Sequence, residues 1–181
     1  MKRIFCGAAL AAMALTGCAE TQMAADTTVA AAKAQVNPTL STSDATFMTT
    51  AARGGMAEVQ LGQLAQTHGR SAAIKSFGER MIRDHGQANQ QMMSLAQQKQ
   101  IGLPDGVGGE HQQVYDNLSK LRGQAFDRAY AQAMVQDHQR DLQAYQEEAQ
   151  NGTDPQVKAF AAQHVPVLEE HLRRAQQLPQ R

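Results

Sequence analysis

Two copies of one five-residue phrase carry the side chains best suited to chemistry in this chain. They are Met81-Ile82-Arg83-Asp84-His85 and Met134-Val135-Gln136-Asp137-His138. In each, a histidine stands one helical turn after a methionine and directly after a carboxylate. Helix neighbours at three, four and seven positions share a face. By that rule His85 lies with Gly78, Met81, Ile82, Ala88, Asn89 and Met92, and His138 with Ala131, Met134, Val135, Asp141, Leu142 and Tyr145. His171 lies with His164, Val167, Leu168, Arg174, Ala175 and Leu178, and Glu58 with Ala51, Gly54, Gly55, Leu61, Gly62 and Ala65. Four largely apolar stripes thus carry one of these ionisable groups each.

Burying an unpaired charge costs several kcal/mol, so imidazoles and a carboxylate that converge in an interior share protons or a cation. Neutral histidine and carboxylate are ordinary ligands for Zn²⁺, Fe²⁺ or Cu²⁺. The candidate metal ligands are therefore Glu58, His85, His138 and His171. Asp84 and Asp137 sit about 100° round the helix from their histidines. They either hold the imidazole of a neighbouring helix from behind or face water. Met81 and Met134 read as core filler, although a thioether beside an imidazole would also suit copper. His164 is an accessory candidate, while His68 and His111 fall at helix edges and receive no role. The competing reading is a metal-free hydrogen-bonded layer that fixes helix register in a structural or interaction module. No Ser–His, Cys–His or paired-carboxylate arrangement stands out, and Gly106 to Gly109 lacks the Lys-Ser/Thr of a phosphate loop. No catalytic residue is assigned, and a non-catalytic role is expected.

The elements that must position these groups are helices. No segment alternates as a strand does, and Ala, Gln, Leu, Met, Glu and Arg dominate. Asp44 is expected to cap a first helix reaching about Thr67, and Ser71 a second reaching about Gln100. Ile101 to Gly109 reads as a loop, followed by a short helix near Glu110 to Lys120. A third long helix spans about Gln124 to Gln150. Thr153 or Asp154 caps the fourth, with Pro155 in its first turn and Pro166 expected to kink it. The pattern predicts an all-α, ferritin-like four-helix bundle with a short extra helix in the long crossover between helices 2 and 3. Reflecting Glu58 through Gly69 and His138 through Gly152 places all four groups within roughly 8 Å of height at 1.5 Å per residue. His171 is the looser fit because of Pro166.

The first 17 residues read as a signal peptide: Lys2 and Arg3, then an apolar run from Ile4 to Leu15 too short to span a bilayer. Leu15-Thr16-Gly17-Cys18 resembles the bacterial lipobox, which implies a lipidated Cys18 as the mature N-terminus. Ala19-Glu20, with no Asp after the Cys, leans towards the outer membrane by the sorting preference of enteric bacteria. The expected location is thus the periplasmic side of the envelope, with the lipid as the contact to membrane. Loss of Cys6 and use of Cys18 leave no thiol for a disulfide or a metal. Without Lys2 and Arg3, 15 of the 17 basic residues remain against 17 acidic ones. No basic block exists, so nucleic acid is not an expected partner. Residues 18–42, rich in Ala, Thr, Gln and Ser, read as a flexible tether, and 43–178 as the bundle.

Four phrases in order resemble one bacterial family: Gly54-Gly55-Met56-Ala57-Glu58-Val59; Phe77 through Met81 to Asp84-His85; Phe126-Asp127 and Tyr130 with Met134-Val135 and Asp137-His138; and Pro166 with His171-Leu172. It is the ferritin-like domain of unknown function 4142, found in exported proteins, and the likeness runs from about Asp44 to Leu178. It implies a ferritin-like bundle outside the cytoplasm and brings no established activity, so a role in envelope stress response stays an expectation. The matching positions again include Glu58, His85, His138 and His171, with His164 outside them. True ferritins place Glu three residues before their histidines. Here Ile82, Val135 and Leu168 hold those places, which argues against di-iron chemistry or iron storage.

Overall fold

The computed structural model describes residues 40–179. The expected signal peptide, Cys18 and the tether as far as residue 39 lie outside the described residues. Five helices follow in order: α1 (Thr42–His68), α2 (Ala72–Gln98), α3 (Gly109–Ser119), α4 (Gly123–Asn151) and α5 (Pro155–Ala175). The only β pairing among the described residues is a single bridge between Gly69 and Gly123. The architecture is the expected all-α, ferritin-like bundle.

Capping explains the helix starts, with one correction to the sequence reading. Ser41, not Asp44, caps α1: its Oγ accepts the Asp44 amide at 3.1 Å while the Asp44 carboxylate accepts the Ser41 amide at 3.2 Å. Leu40 is already buried in the core, so the bundle begins inside the stretch read as tether. Ser71 caps α2 and Asp154 caps α5, with Pro155 at its first turn. Pro166 lies inside α5, which runs through it as one helix.

Two buried aspartates tie the ends together. Asp44 also accepts the amides of Thr153 and Asp154 at 2.8 and 3.0 Å, joining the start of α1 to the α4–α5 turn. Asp127, near the start of α4, accepts the amides of Arg70 and Ser71 at 2.8 and 2.9 Å, closing the α1–α2 turn. Lys99, just after α2, pairs with Asp154 at the start of α5. These contacts set α1 antiparallel to α4, and α2 antiparallel to α5. Chain leaving α2 must therefore travel the length of the bundle before α4 begins, and α3 lies on that crossover. Contacts of α3 with α1 and α4, the Glu110–Arg140 ion pair and the bond of His68 Nε2 to the Ser119 carbonyl hold it there.

Close approach of α1 to α2 depends on glycine. A Cβ at Gly62 would stand 2.6 Å from the Gly78 carbonyl oxygen, and one at Gly78 would stand 2.8 Å from that of Gly62. The apolar interior falls into two clusters. One gathers Phe47, Met48, Met92, Leu95, Tyr145, Phe160 and Leu168; the other gathers Leu61, Ile74, Phe77, Met81, Phe126, Tyr130 and Met134. On each long helix, the candidate ligand sits between the residues given to one cluster and those given to the other. The polar groups therefore occupy a layer sandwiched between two dry cores.

Candidate metal centre

His85 on α2, His138 on α4 and His171 on α5 converge in that layer. One ring nitrogen from each lies within 4.8 Å of the other two. Ring centroids are 5.7 Å apart for His85 and His138, and 5.3 Å for each pair that includes His171. His138 and His171 are fully buried and His85 is 7% exposed. Phe77 stands edge-on to His138 and His171, closing the layer from the lower core.

Hydrogen bonds decide which nitrogen carries a lone pair in two of the three rings. His138 Nδ1 donates to the Met134 carbonyl at 2.9 Å, because a carbonyl can only accept. Its Nε2 is left as the basic nitrogen. His171 Nε2 donates to Asp84 Oδ2 at 2.9 Å, leaving Nδ1 basic. Both of these basic nitrogens, together with His85 Nε2, are buried without a hydrogen-bond partner. Burial pushes all three imidazoles below their ordinary range, His138 to about 4. The neighbouring rings lower His85 and His138 further, whereas Asp84 offsets part of the effect at His171. At neutral pH the trio is uncharged, with three lone pairs in a dry space.

Asp84 thus reaches the imidazole of another helix, one of the two fates open to it in the sequence. Its side chain is 20% exposed and also pairs with Arg80 at 3.5 Å and Arg83 at 3.0 Å. A carboxylate behind a metal-binding imidazole fixes its tautomer and raises its basicity. Asp137 does neither of the things expected of it. It is buried, accepts from no imidazole, and accepts from Arg140 at 2.8 Å.

Glu58 is fully buried and lies on the Nδ1 side of His138, with Oε1 at 3.4 Å. It belongs to a carboxyl cluster with Asp137 and Asp141 on α4. Burial and the Asp137 charge push Glu58 well above the carboxylate range. Asp137 is held below its ordinary value despite its burial, by its neighbours Glu58, His111 and Arg140. Asp141 is likewise pushed well above its ordinary range, by burial and then by Asp137. Glu58 therefore backs His138 from outside the ring trio. The buried Tyr130 hydroxyl has no partner, and burial together with Glu58 raises its pKa.

Met81 and Met134 are buried in the lower core, where Met134 serves the site through its backbone carbonyl. His164 is half-buried; its Nδ1 donates to the Phe160 carbonyl at 2.8 Å and its ring packs on Phe160. Asp141, Arg140 and His111 were not assigned by the sequence reading. Asp141 had a signal, its place three residues after His138. Arg140 had one too, its place three residues after Asp137; His111 acts from α3, whose packing no periodicity announces.

A helical bundle whose interior holds three neutral imidazoles, each with one unpartnered ring nitrogen, is the class of protein defined by this fold and site. The chain belongs to the family described as a domain of unknown function (DUF4142), whose family model matches residues 28–178. A search of curated proteins gave no match. Among solved structures, the chain is similar to a DUF305 fragment from Deinococcus radiodurans, with a TM-score of 0.67 and 14% identity over 76% of this chain and 95% of that one. It is also similar to a structure described as CopM in the Cu(II)-bound form, with a TM-score of 0.59 and 17% identity over 74% of this chain and 93% of that one. At such identities the likeness is one of fold.

Proposed function

We propose that this protein is a non-catalytic metal-binding bundle of the bacterial envelope that holds one transition-metal ion through His85, His138 and His171. The observation that carries this reading is a trio of buried histidines with one ring nitrogen of each within 4.8 Å of the other two, every ring also having a buried nitrogen without a partner. Leaving a buried polar atom unsatisfied costs about 1–3 kcal/mol. A layer built only for packing would pair those nitrogens with one another or with hydroxyls. Nitrogen donors suit copper or zinc and serve Ca²⁺ or Mg²⁺ poorly. Asp84 and the ionised Asp137 place negative charge near the ion, and Glu58 backs His138. Copper is the first ion to test, since a neighbour in fold is described in a Cu(II)-bound form. Cys18 carries a lipid in this reading, fixing the bundle to the periplasmic face of the outer membrane, where it buffers metal during envelope stress. Among the described residues no helix is long and apolar enough to cross a membrane. Loss of detergent-phase partitioning in Cys18→Ser checks that part.

Equilibrium dialysis of the stripped protein against Cu²⁺ and Zn²⁺, with elemental analysis, tests the centre. The expected result is about one ion per chain for the wild type and none for His85→Ala/His138→Ala. Asp84→Asn should still bind, with affinity lower by about 10- to 100-fold as expected for loss of a carboxylate behind a ligand. Uptake below about 0.2 ion per chain, or uptake untouched by the double substitution, would overturn the assignment.

A further inference from the structure

A cleft of about 440 Å³ opens between α2 and α5. Its lining includes Asp84 and His171, so it reaches the edge of the buried trio. His164, Gln91 and Glu170 line the same space. Two observations point to a cation as the visitor. Bonding of Nδ1 to the Phe160 carbonyl leaves His164 Nε2 with its lone pair. The buried Gln91 Oε1 is an acceptor without a partner. The cleft thus brings the acceptors of His164 and Gln91 into one space with Asp84 and with His171, a member of the trio. The glutamate on the rim, Glu170, is held by Arg173 and Arg174 and is not free to serve as a ligand.

We propose that the α2–α5 cleft is the route by which a metal ion reaches the three-histidine centre, with His164 as its first ligand and the rotation of His171 away from Asp84 as the hand-over. This rests on the metal-binding reading above. The transfer is ligand exchange only: the ion gives up the donors of an incoming small chelate and gains imidazole nitrogens, and no electron moves. His164 serves the rate of loading, whereas the trio sets its equilibrium.

The test uses the whole purified protein, stripped of metal, and Cu²⁺ presented as its nitrilotriacetate complex. The chain has three tyrosines and no tryptophan, so quenching of tyrosine emission reports uptake in stopped flow. His164→Ala should reach the wild-type endpoint of one ion per chain about tenfold more slowly. Val167→Arg, an exposed position on the cleft rim, should slow loading by a similar factor. Met93→Arg, exposed on the separate groove between Met56 and Leu103, should leave the rate unchanged. Wild-type rates in both cleft variants, or slowing only in Met93→Arg, would overturn the route while leaving the centre intact. Loss of equilibrium binding in His164→Ala would overturn it too, making His164 a member of the centre. Failure of the wild type itself to take up copper would sink the metal-binding reading and this one together.

Discussion

His138 offers the sharpest physical test because its surroundings make a signed prediction. Burial, with the charge of His171 next, pushes the imidazole from 6.5 to about 4. The folded chain thus keeps this ring neutral where the unfolded chain protonates it. Because the folded pKa is the lower one, the stabilising contribution is fully present above about pH 6.5 and is lost as pH falls towards about 4. One pKa unit corresponds to about 1.4 kcal/mol, so the metal-free protein should lose about 2 kcal/mol through His138 alone between pH 7 and pH 5. Glu58 acts in the opposite sense. Its folded pKa is raised, so its contribution is complete below about 4.5 and fades as pH rises through the folded value. A comparison with His138→Gln removes the terms common to both proteins. Urea denaturation at a series of pH values in the presence of EDTA gives the two curves. The variant will be less stable throughout, but the gap should narrow by about 2 kcal/mol from pH 7 to pH 5. A constant gap, or one that widens towards acid, would refute the claim that this ring is held neutral in a dry layer.

The remaining predictions concern the frame around the site. Gly62→Ala would put a methyl 2.6 Å from the Gly78 carbonyl oxygen and 3.0 Å from Ile82; overpacking of about 1–3 kcal/mol should exceed the helix-propensity gain of about 1 kcal/mol and lower stability in urea. Gly86→Ala meets nothing within 4 Å and should raise stability by about 0.5–1 kcal/mol in the same assay. Asp127→Ala strands the amides of Arg70 and Ser71 and should cost about 2–3 kcal/mol, with faster hydrogen exchange in the α1–α2 turn as a local readout.

Helix spans, the two caps at Ser71 and Asp154, and the inward stripes were legible in the sequence because they depend on residues within a turn or two of one another. A 3.6-residue period is a local property, and an apolar stripe must bury itself whatever its partner. The layer itself followed from the same logic. On all four long helices, an apolar run belonging to one core precedes the ionisable residue and a run belonging to the other core follows it, so matching the runs between helices aligns the polar groups.

Rotation of each helix about its axis and the packing of α3 were not written locally. Those alone decided that Asp84 meets His171 while Asp137, in the same place in its own repeated phrase, turns to Glu58 and Arg140. The same arrangement put Glu58 behind His138 and left three particular nitrogens bare. Local spacing constrains which face a side chain shares, but the partner of a buried polar atom is set by a surface hundreds of bonds away along the chain. Burial of both then makes that pairing energetically decisive.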